Sequence, residues 1–156
     1  MSRQGPEKGG HEMGTSAADV EILTEEACVR LLRGHGVGRV ALTDEGQPVI
    51  FPVNYAADAR AIVFRTAPGM KLTQAPMAKV AFEIDEVDLE RGIAWSVMVR
   101  GVAYEITDAV DRLSEELHEL VVEPIAPGDH GHWIAVMRRE ISGRRFRPRP
   151  VARLTP

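Results

Sequence analysis

The spacing of apolar residues along the chain changes from helical to strand-like at Val37. Upstream, apolar residues recur three and four positions apart, behind a candidate N-cap at Thr24 and before a stop at Gly34 or Gly36. These residues are Ala27, Cys28, Leu31 and Leu32. The pattern predicts one short amphipathic helix, followed by a region in which apolar residues mostly alternate with polar ones.

Six segments after this helix have strand character and are separated by turns or breaks rich in Gly, Pro, Asp and Ala. Their ranges are 37–43, 49–55, 61–66, 78–85, 93–107 and 133–142. The fifth is long enough to bend around a barrel, and Gly101 is the expected position of the bend. Helical spacing returns only at 108–121, with Asp108 as N-cap, and in a short turn at 70–75.

This order predicts a mainly β protein with helices, built as a small antiparallel barrel of about six strands with helices at its ends. The chain has 156 residues, of which 44% are apolar and 27% charged, enough for one core. We expect residues 1–21 to be a disordered tail, 22–145 to be the folded domain, and 146–156 to be a basic tail rich in Pro and Arg.

The chain carries one cysteine, Cys28, so no internal disulfide can form. The first twenty residues contain no apolar core of a signal peptide, and the apolar run at 93–99 is far shorter than the roughly 20 residues of a membrane helix. We therefore expect a cytoplasmic protein that is not inserted in a membrane.

The net charge of −4 is unevenly distributed. Residues 138–156 contain seven Arg and one Glu, so this end carries +6 and the rest of the chain −10. A basic end could bind phosphates or nucleic acid, but the segment has few aromatic residues, and the body of the chain is acidic. We expect a solvated tail and no nucleic-acid partner.

Two groups of polar residues adjoin the second and third predicted strands. Asn54 shares a strand face with Ile50 and Pro52, where its amide could bond a flat heteroaromatic ring or, equally well, the following turn. Arg65, Thr66 and Lys71 bracket the break "APG", a place where an anion can bind.

On composition alone, solvated strand ends explain these cations better. The combination with Asn54 nevertheless suits a ligand that has a phosphate at one end and a planar polar ring at the other, such as FMN.

Three patterns carry a family resemblance: "PVNY" at 52–55, "FRTxxGxK" at 64–71 and "WSVxVxG" at 95–101. Together they make residues 22–145 resemble the pyridoxamine 5'-phosphate oxidase-like family of FMN-binding split-barrel proteins, and its small actinobacterial-type members most closely. The resemblance implies a six-stranded split β-barrel that forms a homodimer with FMN in the clefts between subunits. A barrel this small also has little interior room for a flavin.

The resemblance assigns site residues to three groups. The flavin ring and ribityl chain would lie along Pro52, Val53, Asn54 and Tyr55. The phosphate and ribityl end would be surrounded by Arg65, Thr66, Gly69, Met70, Lys71 and Leu72. The cleft would be lined, from the same or the partner subunit, by Trp95, Ser96 and Val97.

The resemblance implies a flavin-dependent oxidoreductase, with no catalytic side chain identified. The oxidase that names the family has an Arg-Leu-His type cluster near its C-terminus, and the corresponding segment "HWIAVMRREISGRRF" lacks it. We therefore do not expect true pyridoxamine phosphate oxidase activity. The alternatives are a deazaflavin-dependent reductase or a haem-binding protein on the same fold, and a non-catalytic protein that sequesters flavin.

The remaining candidates have simpler explanations. His130 and His132 form an HxH pair without a Cys or carboxylate partner at ligand spacing, so we predict a loop and no metal site. Glu83 and Asp85 fit a half-exposed strand, and Trp133 fits a core or interface anchor.

Overall fold

The structure, a computed structural model, describes residues 20–34, 36–67, 77–107, 116, 122 and 131–147. The described residues form one helix and seven strands, whose bounds in chain order are β1 (Val20–Ile22), α1 (Glu25–Gly34), β2 (Val37–Asp44), β3 (Gln47–Ala57), β4 (Ala61–Thr66), β5 (Ala78–Asp88), β6 (Ile93–Ile106) and β7 (His132–Phe146). The predicted helix at 108–121, the helical turn at 70–75 and most of the basic tail lie outside the described residues.

The strands form a closed antiparallel ring. The order along the sheet is β1-β7-β4-β3-β2-β5-β6, and β6 also pairs with β7, which closes the ring. One edge of β7 pairs with β6, while its other edge pairs first with β4 through residues 132–137 and later with β1 through residues 144–146. Strands β4 and β1 therefore share one edge of β7 at different positions along it, and residues 138–143 between them pair with neither strand.

The six predicted strands correspond to β2 through β7. The described residues contain a seventh strand, β1, so the predicted count of six is too low for this part of the chain. Strand β1 begins at Val20, inside the segment expected to be a disordered tail, and pairs with Arg144, Arg145 and Phe146. Three residues are too few to establish an alternating pattern, and only the pairing with β7 defines them as a strand.

Helix α1 forms as the sequence predicts. The Thr24 hydroxyl accepts a hydrogen bond from the backbone N–H of Ala27 at 3.3 Å, and the helix ends at Gly34. Cys28 and Leu32 are buried on its inner face, and burial raises the pKa of the Cys28 thiol. Cys28 therefore serves as a small core residue.

The barrel interior is filled by alternate residues of every strand of the ring. Phe64, Phe82 and Ile84 are among the fully buried side chains there. The β6–β7 register shifts between Arg100 and Gly101, where Arg139 of β7 is the extra, unpaired residue; the predicted bend of β6 at Gly101 stays a prediction. A Cβ at Gly101 would lie 2.4 Å from the Met137 carbonyl oxygen, so this close approach of two strands requires glycine.

A second apolar cluster lies on the outside of the barrel. It is formed by outward-facing residues of β4, β6 and β7 together with Val122; its buried members are Ala61, Val63, Ile106, Val122 and Ala135. Strand β4 is consequently buried on both faces, whereas β3 next to it alternates between buried and exposed positions.

Candidate functional site

The outer face of β3 carries the first group of predicted site residues. Pro52 is exposed and Asn54 is half-buried on this face, while Val53 and Tyr55 are buried in the barrel interior. The alternation follows directly from the period of two along a strand. Only Pro52 and Asn54 of this group are thus available to a ligand on the outside of a single chain.

Tyr55 has a hydrogen-bond partner inside the protein. Its hydroxyl donates to the backbone carbonyl of Leu32 at 2.7 Å, and its ring meets that of Phe82 edge-on with centroids 4.8 Å apart. Burial raises the pKa of Tyr55 above its ordinary value. The bond serves one of the carbonyls at the C-terminal end of α1 that have no partner within the helix, so Tyr55 connects this helix to the barrel.

Arg65 lies on the same outer face as Asn54, at the end of β4. The pairing of β3 with β4 ends at Tyr55 and Phe64, so Asn54 and Arg65 are the next residues beyond it. The Arg65 guanidinium carbon is 5.4 Å from the ring centroid of Trp133, its cross-strand partner in β7. This cation–π contact holds the guanidinium over β7, on the side of β4 away from β3, whereas the backbone of Arg65 lies beside that of Asn54.

Thr66 is buried on the inner face, opposite His132. The Nδ1 atom of His132 is hydrogen bonded to Oε1 of Glu105, and both side chains are partly buried. Glu105 was not among the predicted site residues, because its partner is 27 residues away in sequence and no local pattern links the two. The pair joins β6 to the start of β7 beside the end of β4.

Of the third predicted group, Ser96 is half-buried on the outer face, and Trp95 and Val97 are buried in the core. The Trp95 indole Nε1 donates to Oε2 of Glu86 at 3.2 Å. Ser96 is the cross-strand partner of Asp85 in β5 and of Arg144 in β7. Within one chain, Ser96 is the one member of this group that reaches the outer face.

Arg39 connects Pro52 with Ser96 across the outer face and was not predicted as a site residue. It lies opposite Pro52 in β3 and opposite Glu83 in β5, and its guanidinium bonds Glu83 at 3.1 Å and also Asp85. The hydrogen bond and charge of Asp85, with those of Glu83, raise the pKa of Arg39. Three strand spacings, roughly 14 Å, separate Pro52 from Met98 along this row, and Ser96 lies two residues further along β6.

The predicted phosphate-binding residues Gly69, Met70, Lys71 and Leu72 lie outside the described residues, as does His130 of the HxH pair. In the described parts of the chain, no three His, Cys, Asp or Glu side chains are grouped as metal ligands. No helix described there is both long and apolar enough to cross a membrane. The candidate site is therefore an outer-face row of Asn54, Pro52, Arg39 and Ser96, with Arg65 at one end.

Comparison with known proteins gives this surface a family context. An uncharacterized protein of Mycobacterium tuberculosis, Rv0080, is 34% identical over 114 residues, which cover 68% of this chain and 75% of the relative. The FAD binding protein of Mycobacterium smegmatis is 35% identical, with a TM-score of 0.61 over 82% of this chain and 99% of that one.

A Corynebacterium glutamicum protein, provisionally named a pyridoxamine 5'-phosphate oxidase, is 33% identical, with a TM-score of 0.70 over 85% of this chain and 97% of that one. The family model for pyridoxamine 5'-phosphate oxidase matches residues 24–145, most of the chain. This match extends from the N-cap of α1 to Arg145, one residue before the end of β7, and includes every residue of the outer-face row. The chain therefore belongs to the pyridoxamine 5'-phosphate oxidase-like family.

Proposed function

We propose that this protein binds a flavin nucleotide on the outer face of β3, with the phosphate at the Arg65 end. The single observation that carries the proposal is the placement of Arg65 and Asn54 on one outer face, just beyond the last β3–β4 pair, with the Arg65 guanidinium over Trp133. An Arg fork suits a phosphate, and an amide offers both a donor and an acceptor to a heteroaromatic ring. The FAD binding protein of M. smegmatis, a relative at 35% identity, is consistent with this ligand class.

The residues present fit such a ligand at both ends. Lys71, outside the described residues, follows Arg65 six positions later in the sequence and is proposed as a second cation for the phosphate, whereas Thr66 is buried on the inner face. Gly69, Met70 and Leu72 belong to the same segment. Pro52 presents an apolar surface for a ring, while Val53 and Tyr55 support that surface from inside the barrel.

We further propose a homodimer in which a second copy covers this outer face. Ile50 and Val37 are 69% and 45% exposed on the same face, next to the exposed Pro52. Exposing such a group of apolar side chains to water is unfavourable unless another surface covers them. A partner would enclose the ligand between two such faces and bring a second Ser96 near the cleft, with Trp95 and Val97 packed behind it. The dimer thus supplies walls that one chain lacks.

The activity proposed is that of an oxidoreductase. When bound, a flavin supplies hydride or electron transfer at its ring, and the protein contributes binding, orientation and the polarity of the surroundings. The C-terminal segment lacks the Arg-Leu-His type cluster of the named oxidase, so we propose a different substrate. We place this chemistry in the cytoplasm because the chain has a single, buried cysteine and no disulfide.

FMN and FAD are both candidates for the ligand. The sequence patterns resemble those of FMN-binding proteins, whereas two relatives, from M. smegmatis and from Mesorhizobium loti at 25% identity, are named FAD-binding proteins. Both nucleotides carry the phosphate that Arg65 would bind. The alternative ligands are a deazaflavin and haem, which binding measurements distinguish from a flavin. The alternative role is sequestering flavin, which turnover measurements distinguish from catalysis.

The proposal is tested by titrating the dialysed full-length protein with FMN, with FAD and with riboflavin while following flavin fluorescence. We expect saturable quenching by a phosphate-bearing flavin and much weaker binding of riboflavin. Bound flavin should then exchange electrons with a nicotinamide or another donor faster than free flavin does. Slower exchange than that of free flavin would favour the sequestering role.

The same titration has a clear negative outcome. If none of the three flavins binds at concentrations up to the millimolar range, a flavin is not the ligand. Parallel titrations with a deazaflavin and with haem, read by absorbance, would then identify which alternative occupies the face. Sedimentation of the loaded protein at several concentrations tests the homodimer independently of the ligand.

A further inference from the structure

A groove of about 500 Å³ lies on the outer face of the barrel, on the side away from Arg65. Its floor is apolar and is contributed by four neighbouring strands; the outward-facing floor residues are Pro48 of β3, Ala41 of β2, Ala81 of β5 and Val102 of β6. Gly101, at the register shift between β6 and β7, also borders the groove. The floor would suit the apolar body of a small organic molecule.

Three cations and one anion surround this floor. Lys79, Arg100 and Arg139 carry positive charge, and Glu140 carries the only negative charge among the groove residues that the structure describes. Glu140 is 3.3 Å from the Arg100 guanidinium. In the described part of the chain, Lys79 and Arg139 make no ion pair. The groove thus has a net positive charge and two cations that no carboxylate neutralises, which favours an anionic ligand.

The groove continues the proposed flavin site along β3. Ile50 lies directly opposite the floor residue Ala41 and on the same face as Pro52. Pro48 and Pro52 are four residues apart on one strand, which corresponds to roughly 13 Å. A molecule in the groove would therefore lie next to the end of the site that is remote from Arg65.

We propose that this groove is a binding subsite for a small organic anion with an apolar body, and that it holds the substrate of the flavin site. The second part rests on the proposed function. The cations would pair with a carboxylate, sulfonate or phosphate group, and the floor of Ala41, Ala81 and Val102 would contact the apolar part. Glu140 would oppose anion binding, both by its own charge and by occupying Arg100.

The experiment uses 8-anilinonaphthalene-1-sulfonate as the anionic probe and N-phenyl-1-naphthylamine, which lacks the sulfonate, as the uncharged control. Both are titrated into the full-length protein with fluorescence as the readout. We expect Lys79→Gln and Arg139→Gln each to weaken binding of the sulfonate by about threefold, and Glu140→Gln to strengthen it by a similar factor. Binding of the uncharged probe should change less than twofold in all three variants.

Arg33→Gln is the matched control, since it removes an exposed cation from α1 and should change neither probe's affinity. Opposite effects from Lys79→Gln and Glu140→Gln cannot arise from a general loss of folding. Equal affinities of all variants for the sulfonate would overturn the anion site.

Titrating the same variants with FMN and FAD tests the role as a flavin substrate subsite separately from anion binding itself. Unchanged flavin affinity together with the predicted response of the sulfonate supports a substrate subsite beside the flavin. The predicted sulfonate response in a protein that binds no flavin would overturn the assignment as a flavin substrate subsite, because the proposed function itself would then have failed.

Discussion

The outer faces of β3 and β4 differ although the two strands are neighbours in one sheet. Val63, on the outer face of β4, is 0% exposed because the cluster containing Ile106 and Val122 covers it. Ile50, on the outer face of β3 between Pro48 and Pro52, is 69% exposed. Among the described residues, the chain thus covers the outer face of β4 and leaves much of the outer face of β3 exposed; we call these the covered half and the open half.

The difference separates stability from recognition. Residues on the covered half are fixed by packing, and their burial accounts for part of the free energy of folding. The open half carries Asn54, Pro52, Arg39 and Ser96, whose arrangement adds little to the core but presents polar groups at defined spacings. Arg65 lies where the two halves meet, at the end of β4 and over Trp133, and it contributes to both.

Introducing a carboxylate on each half should give the largest difference in the free energy of unfolding. Val63→Asp buries an unpaired carboxylate, so we expect it to lower the free energy of unfolding by at least about 4 kcal/mol. Ile50→Asp should change the stability of the isolated chain by no more than about 0.5 kcal/mol. Urea unfolding followed by circular dichroism at low protein concentration measures both. Similar losses in the two variants would show that the halves are not distinct.

The turn between β3 and β4 determines how the two halves join, and Asp58 stabilises it. Its Oδ1 accepts hydrogen bonds from the backbone N–H groups of Arg60 at 2.6 Å and Ala61 at 2.8 Å. Asp58→Ala should therefore lower the free energy of unfolding by about 1 to 3 kcal/mol at neutral pH. Asp58→Asn keeps one acceptor oxygen and should cost less.

The pH dependence of this effect has a definite sign. Burial alone would raise the pKa of Asp58, but the two backbone hydrogen bonds and the Arg60 guanidinium outweigh it and lower the pKa. The contribution is therefore complete above the ordinary aspartate pKa and is lost as the pH falls through the lowered value. Urea midpoints of the parent and Asp58→Ala should converge in acid, and a constant difference down to the lowest pH would exclude this role.

Tyr55→Phe makes the smallest of the three changes and tests which side of β3 the residue serves. Loss of the hydrogen bond to Leu32 should cost about 0.5 to 1.5 kcal/mol, while the ring contact with Phe82 persists. Flavin affinity should stay within about twofold of the parent, since the hydroxyl lies inside the barrel. A large loss of flavin affinity with unchanged stability would instead assign Tyr55 directly to the ligand.

Much of the fold could be predicted from the sequence because the barrel has a simple local signature. The alternation in β2, the continuous apolar run of β4 and the Thr24 cap all depend on near neighbours in the chain. Strand β1 could not be predicted in this way, since its three residues have strand character only through pairing with β7. Closure of the ring by β6 and β7 is likewise a long-range event.

The candidate site was less accessible from sequence. The two-residue period of a strand correctly placed Asn54 and Pro52 on one face. The same period puts Val53 and Tyr55 inside the barrel, and a match to a family motif does not distinguish residues that contact a ligand from residues that pack behind them. The ion pairs of Arg39 with Glu83 and Asp85 span more than forty residues and depend on the β2 and β5 register. The stacking of Arg65 on Trp133 depends in the same way on the pairing of β4 with β7.

The most direct test of the central claim is a double comparison of FMN with riboflavin in the parent protein and in Arg65→Ala. If Arg65 binds the phosphate, the parent should prefer FMN by at least about tenfold, and Arg65→Ala should reduce that preference to less than about threefold while riboflavin binding stays the same. Arg33→Ala, an exposed cation of α1, should keep the full preference. An undiminished preference for FMN in Arg65→Ala would contradict the account.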